Sequence, residues 1–411
     1  MTAIGIDAIN AYVGRASVEV RDLFADRGLS IGRFDNLMME RKSVGLPCED
    51  PVTNAVNAAR PLVDALSARE REQIELLVVG TESGLDFGKP ISTYIHHHLG
   101  LPSRCRSFEV KHACYGGTAA LQTAVGMIAA SGVPTSRALV VATDAPGAAA
   151  RGTYWEPSEG AGAVAMLVGR DPRVLRLDPG ASGFHTYEVM DTARPAPDHD
   201  IVDSDLSLLA YLSCLENSFD AYCDRVAGID LRSTFDYLVF HTPFAGMVKG
   251  AHRTLTRKRA GLRGAQIEED FEARVGVSLE YASNVGNLFS AALYLAFCSL
   301  LEHGRFDRAK RIGLFSYGSG CASEFFSGVV PQTAQAHVAE YGIAAALDDR
   351  FKLTVAEYDR VTENLAARAF GVREAAFDPA DYEPVYRSHF EGRGLLVLDR
   401  IRDYHREYRW T

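Results

Sequence analysis

The sequence predicts an α/β protein, and three observations lead to that prediction. Its 411 residues are 47% hydrophobic and 23% charged, an ordinary globular composition that excludes disordered and fibrous folds. Apolar runs without polar alternation recur along the chain, as strands covered on both faces require. Helical patterns separate those runs, so helices are expected to pack around the sheets. Because domains usually span about 100–200 residues, the length fits two domains or one large two-lobed body.

The predicted elements follow in chain order. Strands are predicted at residues 74–80, 138–143, 161–168, 237–241, 311–317 and 394–398. Helices are predicted at residues 52–67, 117–130, 206–225, 247–259 and 288–301. Residues 191–203 contain Pro195, Pro197 and several acids. We interpret them as a long connection between an N-terminal half, 1–190, and a C-terminal half, 191–411.

Charge and targeting signals exclude several functions. The 43 Lys and Arg residues against 53 Asp and Glu residues give a net charge of −10, which disfavours a polynucleotide partner. An acidic partner needs a local basic patch on this surface. The N-terminus lacks a basic stretch followed by an apolar one, and the longest apolar run is too short to span a bilayer. We therefore expect a cytoplasmic protein.

The cysteine and histidine patterns predict free thiols and no metal site. Seven cysteines, an odd number without a CxxC pair, indicate neither a disulfide framework nor a zinc site. His96, His97 and His98 are consecutive, so on a helix their side chains point in different directions and rarely chelate together. No nucleotide-binding glycine pattern of the Rossmann or Walker type is evident.

The segment around Cys114 carries the strongest chemical signal. Cys114 lies between a strand and a helix whose first turn is Gly116-Gly117-Thr118. A thiol at a helix N-terminus feels the positive end of the helix dipole, so its pKa is expected to fall. The paired glycines are expected to let a substrate approach the backbone closely. This setting predicts a nucleophile that forms a thioester with an acyl group; the alternative is a buried, inert cysteine.

Five motifs in the chain agree in order and spacing with one enzyme family. They are ACYGGTAAL at Cys114, Thr81-Glu82-Ser83, Phe240-His241-Thr242-Pro243-Phe244, Val285-Gly286-Asn287 and Phe315-Ser316-Tyr317-Gly318-Ser319-Gly320. The chain resembles 3-hydroxy-3-methylglutaryl-CoA (HMG-CoA) synthases of the thiolase superfamily, from about residue 2 to its end. The resemblance implies a thiolase-like fold of two similar α/β halves in an α-β-α-β-α layered arrangement. It also implies a homodimer and no prosthetic group.

The resemblance implies a role for each motif residue. Cys114 would carry an acetyl group, and Glu82 would be the general base and acid that deprotonates its methyl carbon. His241 would hydrogen-bond the thioester or ketone oxygen of the second substrate. The implied substrate-binding residues are Asn287 for the acceptor chain, Ser319 for the acetyl oxygen through its backbone N–H, Tyr317 beside it, and the nearby acids Asp144 and Asp191.

The implied reaction is a Claisen-type condensation in three steps. Acetyl moves from a thioester donor to Cys114, and its methyl carbon then attacks the 3-ketone of a 3-oxoacyl thioester. Water finally releases the product from the cysteine. No metal or redox cofactor is expected, because the thioester itself acidifies the carbon.

Three segments resemble the subgroup that acts in polyketide β-branching. They are RFDNLMM at 33–39, CEDPVT at 48–53 and DTARP at 191–195. CoA-using members generally carry lysines five and nine residues after the motif histidine, whereas this chain has Gly246 and Gly250. The resemblance therefore implies an acetyl donor and a β-ketoacyl acceptor that are each held on the phosphopantetheine arm of an acyl carrier protein. CoA is the alternative carrier.

A basic run is the predicted docking surface for these acidic carriers. Residues 249–263 contain six basic side chains and no acid. The residues predicted to receive a carrier are Arg33, Lys249, Arg253, Arg257 and Lys258, with Arg259 and Arg263 in the same run. The alternative interpretation is a solvated helix face.

Three other functions stay open at this point. An HMG-CoA synthase of isoprenoid metabolism would carry the missing lysines. An initiation-type ketosynthase uses Cys, His and Asn, a set that Cys114, His241 and Asn287 could imitate, but Glu82 favours the synthase. A non-catalytic scaffold for carrier proteins would have no need of all three catalytic side chains. The acceptor chain, and the choice between acetyl and propionyl, are left open by the sequence.

Overall fold

The structure is a computed structural model that describes residues 3–146, 150–196, 199–363, 365 and 369–411. Pro197, part of the predicted connection, lies outside these ranges. The described strands are β1 (Ile4–Tyr12), β2 (Ala16–Glu19), β3 (Arg41–Val44), β4 (Ile74–Gly80), β5 (Arg106–Val110), β6 (Arg137–Asp144), β7 (Gly162–Arg170), β8 (Leu175–Thr186), β9 (Thr192–Ala196), β10 (His199–Val202), β11 (Tyr237–Phe240), β12 (Lys310–Gly318), β13 (Ala322–Val330), β14 (Phe351–Leu353), β15 (Ala375–Ala376), β16 (Leu396–Arg402) and β17 (His405–Trp410). The described α-helices are α1 (Val20–Asp26), α2 (Ile31–Leu37), α3 (Pro51–Asp64), α4 (Ala68–Arg71), α5 (Ser92–His98), α6 (Gly116–Ala130), α7 (Ser204–Arg225), α8 (Ala245–Arg259), α9 (Ala265–Arg274), α10 (Glu280–Val285), α11 (Ala292–His303), α12 (Ala334–Ala339), α13 (Ile343–Asp348), α14 (Val355–Glu363) and α15 (Val385–His389).

Nine strands form one mixed sheet in the order β11-β12-β13-β8-β1-β7-β6-β4-β5. Strands β5, β4 and β6 are parallel, as are β11 and β12, and the other neighbours are antiparallel. The two registered pairs that join β1 to β8 in the described chain are Gly5 with Arg176 and Ile6 with Leu175. This short junction divides the sheet into one part made of β1 and β4–β7 and another made of β8 and β11–β13.

The strand β8 belongs to the second part of the sheet although it precedes residue 190. It pairs with β13 from Thr186 opposite Ala322 to Arg176 opposite Val329. Within the sheet, the chain therefore passes from one part to the other between β7 and β8. The division of the whole chain at residue 190 stays a prediction.

Helices fill the space between the two parts and cover their outer faces. Helices α6 and α11 share one buried apolar cluster with strands of both parts, including β6 and β12. Helix α3 packs on the outer face of the first part, and α7 and α8 pack on the second. Continuous apolar strands result because both faces are covered. The predicted α-β-α-β-α layering of a thiolase-like fold is confirmed.

The predicted strands and helices are present, with two corrections. The helix predicted at 288–301 begins as a 3-10 turn, Phe289–Ala291, and α11 starts at Ala292, since Phe289 has a left-handed φ of 50°. The connection predicted at 191–203 contains the hairpin of β9 and β10, in which Ile201 pairs with Ala193. Of the helices in the described part of the chain, none is both long and apolar enough to span a bilayer.

The charged C-terminal tail is folded onto the first part of the sheet. The predicted late strand is present as β16, and the charged residues after it form the hairpin of β16 and β17. Asn57 on α3 exchanges two hydrogen bonds with the backbone of Leu396. Asp50, the N-cap of α3, pairs with Arg406 at 3.1 Å and accepts from Tyr408 at 2.8 Å. The tail thus fixes the helix that covers the sheet.

Candidate active site

Cys114 and Glu82 lie together because they follow adjacent parallel strands. Glu82 follows β4, and Cys114 follows β5 just before α6. The carboxyl ends of parallel neighbours meet at one edge of the sheet, and the Thr81 N–H donates to the Val110 carbonyl there. Cys114 Sγ lies 3.5 Å from Glu82 Oε2. The sequence motifs therefore bring a thiol and a carboxylate into direct contact.

Gly117, the second of the paired glycines, serves close packing of the backbone, and the expectation that the pair admits a substrate stays a prediction. A Cβ at Gly117 would lie 2.2 Å from the Ser290 carbonyl oxygen. A Cβ at Gly80, the last residue of β4, would lie 2.4 Å from the carbonyl oxygen of Gly116. Both contacts are far inside van der Waals distance. Gly80 lets the end of the Glu82 strand approach the start of α6, and Gly117 lets α6 approach the segment that carries Ser290.

The expectation that the helix dipole lowers the pKa of Cys114 is wrong. Burial raises the pKa of the Cys114 thiol well above its usual value, and the neighbouring charges of Glu82 and Asp144 raise it further. Ala113 has a left-handed φ of 37°, so the chain turns sharply just before the cysteine. The thiol is held protonated, and its nucleophilic use requires an acceptor for the proton.

Asp144 lies beneath Glu82 rather than open to a substrate. It is fully buried at the end of β6. Its Oδ1 accepts from the Thr81 hydroxyl, from the Glu82 and Ser83 N–H groups and from the Ser83 hydroxyl, at 2.8–3.0 Å. Its Oδ2 accepts from both the N–H and the hydroxyl of Ser290. These six donors tie the Glu82 turn to the segment that carries Asn287.

Glu82 is a half-buried carboxyl with a raised pKa. Burial and the nearby Asp144 charge raise the pKa of Glu82 to about 7, while Arg194 opposes the rise. Arg194 Nη2 lies 3.6 Å from Glu82 Oε1. Sequence reasoning missed Arg194: it stands inside the quoted segment 191–195, but no local pattern indicates that the hairpin reaches Glu82.

Asn287 is placed by the loop ahead of β7. Its N–H donates to the Ser158 carbonyl at 2.7 Å, and its carbonyl accepts from Gly160 at 2.9 Å. Its side-chain oxygen accepts from the Phe289 N–H at 2.8 Å, which points the amide nitrogen the other way as a donor. Between Ser158 and Gly160 lies Glu159, whose pKa burial raises to about 7. Sequence reasoning missed this carboxyl.

His241 is a buried, neutral imidazole. The residue follows β11, and its backbone N–H donates to the Phe315 carbonyl of the neighbouring strand at 2.7 Å. Its own carbonyl accepts from the Tyr211 hydroxyl at 2.7 Å. Burial lowers the pKa of His241 to about 3. The ring is therefore a hydrogen-bonding group at neutral pH, without a charge.

The Ser319 turn packs on the cysteine loop. A Cβ at Gly318 would lie 2.5 Å from the Tyr115 nitrogen, so the turn and the loop touch through their backbones. Asp191 is fully buried and accepts from the Tyr317 hydroxyl at 2.8 Å and from the Gly320 N–H at 2.9 Å. Both Asp191 oxygens and the Tyr317 hydroxyl are thus engaged in fixing the turn.

The predicted docking run is partly neutralised by acids from neighbouring helices. Lys249 pairs with Glu268 of α9 at 2.7 Å, and Lys258 with Glu216 of α7 at 2.5 Å. Arg259 pairs with Asp220 of α7. The remaining members of the predicted surface are exposed, and no carboxylate of the described residues lies within 4 Å of them: Arg33, Arg253 and Arg257.

The three consecutive histidines face different partners. His96 Nε2 lies 3.0 Å from the Pro102 carbonyl, whereas the His98 ring packs edge-on against Tyr408. Across the described ranges, no group of three or more His, Cys, Asp or Glu residues is arranged to hold a metal ion.

Two α/β parts that meet around a half-buried cysteine and carboxylate define a thiolase-like acyl-transferring enzyme. Family comparison agrees. The model for the hydroxymethylglutaryl-coenzyme A synthase N terminal matches residues 2–173, and that for the C terminal matches residues 175–258 and 254–410. The chain belongs to the HMG-CoA synthase family, which confirms the resemblance. It is an acyltransferase that forms C–C bonds through acetyl transfer and condensation.

Individual relatives are similar over most or all of their length. The chain is 49% identical to the polyketide biosynthesis 3-hydroxy-3-methylglutaryl-ACP synthase PksG of Bacillus subtilis, covering 100% of both chains. It is 36% identical to the hydroxymethylglutaryl-CoA synthase of Enterococcus faecalis, covering 87% of this chain and 90% of that one. The crystal structure of the curacin biosynthetic pathway HMG synthase in complex with acetyl donor-ACP matches with a TM-score of 0.96, at 47% identity and 100% coverage of both chains.

Proposed function

We propose that this enzyme condenses an acetyl group, held on Cys114, onto the 3-ketone of a β-ketoacyl chain carried by an acyl carrier protein. The reaction installs a β-branch in polyketide biosynthesis. The observation that carries the proposal is the 3.5 Å contact of Cys114 Sγ with Glu82 Oε2. It joins a nucleophile to a base in one half-buried site. The full-length similarity to a polyketide HMG-ACP synthase supports the same function.

The first step loads acetyl onto Cys114. The protonated thiol passes its proton to the Glu82 carboxylate as Sγ attacks the thioester carbonyl of the donor. The departing phosphopantetheine thiolate takes that proton from Glu82, so the carboxylate is ionised again. The N–H groups of Cys114 and of Ser319, on the turn packed against the cysteine loop, serve the carbonyl oxygen as donors. Such donors stabilise the developing charge.

The second step forms the carbon–carbon bond. Glu82 removes a proton from the acetyl methyl group, and the resulting carbanion attacks the 3-ketone of the acceptor. The alkoxide that forms takes that proton back from Glu82 and becomes the 3-hydroxyl group, so the carboxylate is ionised again. His241 donates a hydrogen bond to the ketone oxygen in its neutral form. Asn287 offers its amide nitrogen to the acceptor chain. Water then cleaves the thioester at Cys114, with Glu82 as the proton shuttle.

The packing of α2 on α8 supports a carrier protein as the donor. The Asn36 carbonyl oxygen lies 1.7 Å from the place of a Cβ at Gly246. A side chain therefore has no room at the position where CoA-using relatives carry a lysine, unless α2 moves. At Gly250 the space is open, but there is no side chain to contact a phosphate.

The docking surface proposed for the acidic carriers is the exposed set Arg33, Arg253 and Arg257. Arg33 stacks over the Tyr154 ring at 4.6 Å, and α2 lies against the N-terminal turn of α8, which follows His241 closely. The surface would therefore border the route to the site. A donor and an acceptor carrier would use it in turn. A homodimer and a reducing cytoplasmic location complete the proposal.

Intact-protein mass spectrometry tests the loading step. Wild type is exposed briefly to acetyl-loaded donor carrier protein and, separately, to acetyl-CoA. An acetyl adduct from the carrier that forms poorly from CoA is the expected result. The adduct should be lost in Cys114→Ala and retained in Cys223→Ala, a matched control at another free cysteine. Efficient loading from CoA would favour the isoprenoid-type synthase, and no adduct from either donor would refute the acetyl-enzyme.

A further inference from the structure

The hairpin of β9 and β10 places a cation beside the proposed base. Arg194 Nη2 lies 3.6 Å from Glu82 Oε1, while the other oxygen, Oε2, faces Cys114 Sγ at 3.5 Å. The two oxygens of Glu82 therefore have different neighbours. One faces the cation and the other faces the sulfur that is to carry the acetyl group.

A hydrogen bond to Asp200 fixes the side chain of Arg194. Its Nε donates to Asp200 Oδ1 at 2.7 Å, across the hairpin, and the Asp200 side chain is 8% exposed. The guanidinium thus has one end fixed and presents the other end to Glu82. The separation of 3.6 Å is longer than a hydrogen bond. The positive charge of Arg194 lies near Glu82, but no hydrogen bond joins the two side chains. Glu82 Oε1 can therefore still accept a proton.

The base of the hairpin is fixed by a residue that also holds the Ser319 turn. Asp191 accepts from the Tyr317 hydroxyl and from the Gly320 N–H, and its carbonyl accepts from the Asp203 N–H at 2.8 Å. Arg194 follows three residues later. The short segment 191–194 therefore both holds the Ser319 turn, which is proposed to bind the acetyl oxygen, and positions Arg194 beside Glu82.

The charges around Glu82 are mostly negative. The charges of Asp144, at the end of β6, and of Glu159, in the loop ahead of β7, both raise the pKa of Glu82. The Cys114 thiol contacts Glu82 Oε2. Arg194 from β9 is the cation within 4 Å of Glu82 in the described ranges. Burial and the two carboxylates favour protonated Glu82, whereas proton abstraction requires the ionised form. The positive charge of Arg194 favours the ionised form of Glu82 and so opposes the effect of burial and of the two carboxylates.

We infer that Arg194 is a positioning residue of the condensation, which keeps the Glu82 carboxylate ionised and oriented toward the methyl carbon on Cys114. Asp200 holds Arg194 for this task. The inference rests on the proposed function, in which Glu82 is the base. It assigns Arg194 no contact with the substrate and makes its effect dependent on pH.

Single-turnover condensation from preformed acetyl-enzyme, followed from pH 5 to 9, tests the inference. The acetyl donor and the acetoacetyl acceptor are both loaded on carrier protein, and mass spectrometry first confirms acetyl-Cys114. In Arg194→Gln, the acid limb of the pH–rate profile should move up by about one pH unit, as loss of a nearby opposite charge predicts. The rate should drop about tenfold at low pH and be nearly normal at pH 9, whereas Arg194→Lys should restore the limb.

Two further variants separate this effect from loss of structure. Asp200→Asn should move the limb in the same direction by a smaller amount, and Arg373→Gln, at an exposed ion pair with Asp403, should leave the profile unchanged. If acetyl-Cys114 forms normally and the limb of Arg194→Gln stays in place, or the rate drops equally at every pH, the inference is wrong. If Arg194→Gln does not fold, the Lys and Asp200 variants decide. If wild type forms no acetyl-enzyme, the proposed function is refuted and the inference with it.

Discussion

The Asn36 carbonyl oxygen lies 1.7 Å from the position that a Cβ atom at Gly246 would occupy. Helix α2 therefore rests directly on the first turn of α8, and a glycine is required there by contact rather than by backbone conformation. One turn further along α8, Gly250 has no atom within 4 Å of the same position. The two glycines thus differ in what their missing side chains permit.

Alanine at the two glycines should change stability in opposite directions. Gly246→Ala should lower the free energy of unfolding by about 1–3 kcal/mol, because the backbone of α2 must shift. Gly250→Ala should raise it by up to about 1 kcal/mol, because alanine favours a helix and meets no obstacle. Chemical denaturation of both variants measures the difference. Equal effects at both positions would contradict the packing of α2 on α8.

Removal of the proposed base should slow condensation far more than it disturbs the fold. In Glu82→Gln, the single-turnover rate should fall by about 10²–10⁴-fold. Because burial raises the pKa of Glu82 to about 7, the wild-type rate should fall about tenfold per pH unit below that pH, as the carboxylate becomes protonated. A pH–rate profile of wild type and variant checks both points. A flat wild-type profile from pH 5 to 8 would exclude Glu82 as the base.

Asp144→Asn should move the same acid limb in the opposite direction from Arg194→Gln. The Asp144 charge raises the pKa of Glu82, so its removal should lower that pKa and shift the limb to lower pH. The variant should also lose about 1–3 kcal/mol of unfolding free energy, since an amide nitrogen would face groups that donate to the carboxylate. An upward shift of the limb would show that Asp144 acts on Glu82 mainly through geometry.

The sequence was sufficient for the strands that carry continuous apolar runs and for the motif residues that lie at their ends, but it did not predict the ranges of β1, β5, β8 and β13. Apolar runs such as 74–80 and 138–143 predict strands because a strand covered on both faces has no polar alternation. Glu82, Cys114 and His241 are found at predicted strand ends, and neighbouring strands bring such ends together. These features depend on residues close in sequence, and local patterns describe them.

Features that depend on distant residues were not predictable in the same way. Arg194 comes close to Glu82 because it lies on the hairpin of β9 and β10, whereas the prolines in 191–203 had indicated a long connection. The acids that pair with Lys258 and Lys249 come from α7 and α9, so a count along 249–263 could not include them. The pKa of Cys114 rises because burial and Glu82 outweigh the helix end, and burial is a property of the packed molecule.

Buried carboxyls should make the protein less stable as the pH rises from about 4.5 to 7. Burial raises the pKa of Glu324 to about 7, although Tyr115 and Gln122 donate to it. The folded state therefore binds the proton more tightly than the unfolded state does. Protonated Glu324 therefore stabilises the folded state fully below the unfolded pKa. This stabilisation is lost as the pH rises, and the free energy of unfolding falls by at most about 1.4 kcal/mol per pH unit. Thermal unfolding from pH 4.5 to 7.5 should show a smaller slope in Glu324→Gln than in wild type.

Charge reversal on α8 should weaken carrier-protein use most where the cation is unpaired. Arg253→Glu with Arg257→Glu should raise the KM for acetyl-loaded carrier on the order of tenfold at low salt, because long-range attraction governs such encounters. The effect should shrink at high salt, where surface charges are screened. Arg259→Glu is the matched control on the same helix: its cation already pairs with Asp220, so its effect on KM should be smaller. Loading from acetyl-pantetheine, which has no carrier protein, should be unchanged in both variants. If Arg259→Glu raises the KM as much as the double variant, net charge rather than the exposed pair governs docking, and the proposed surface is wrong.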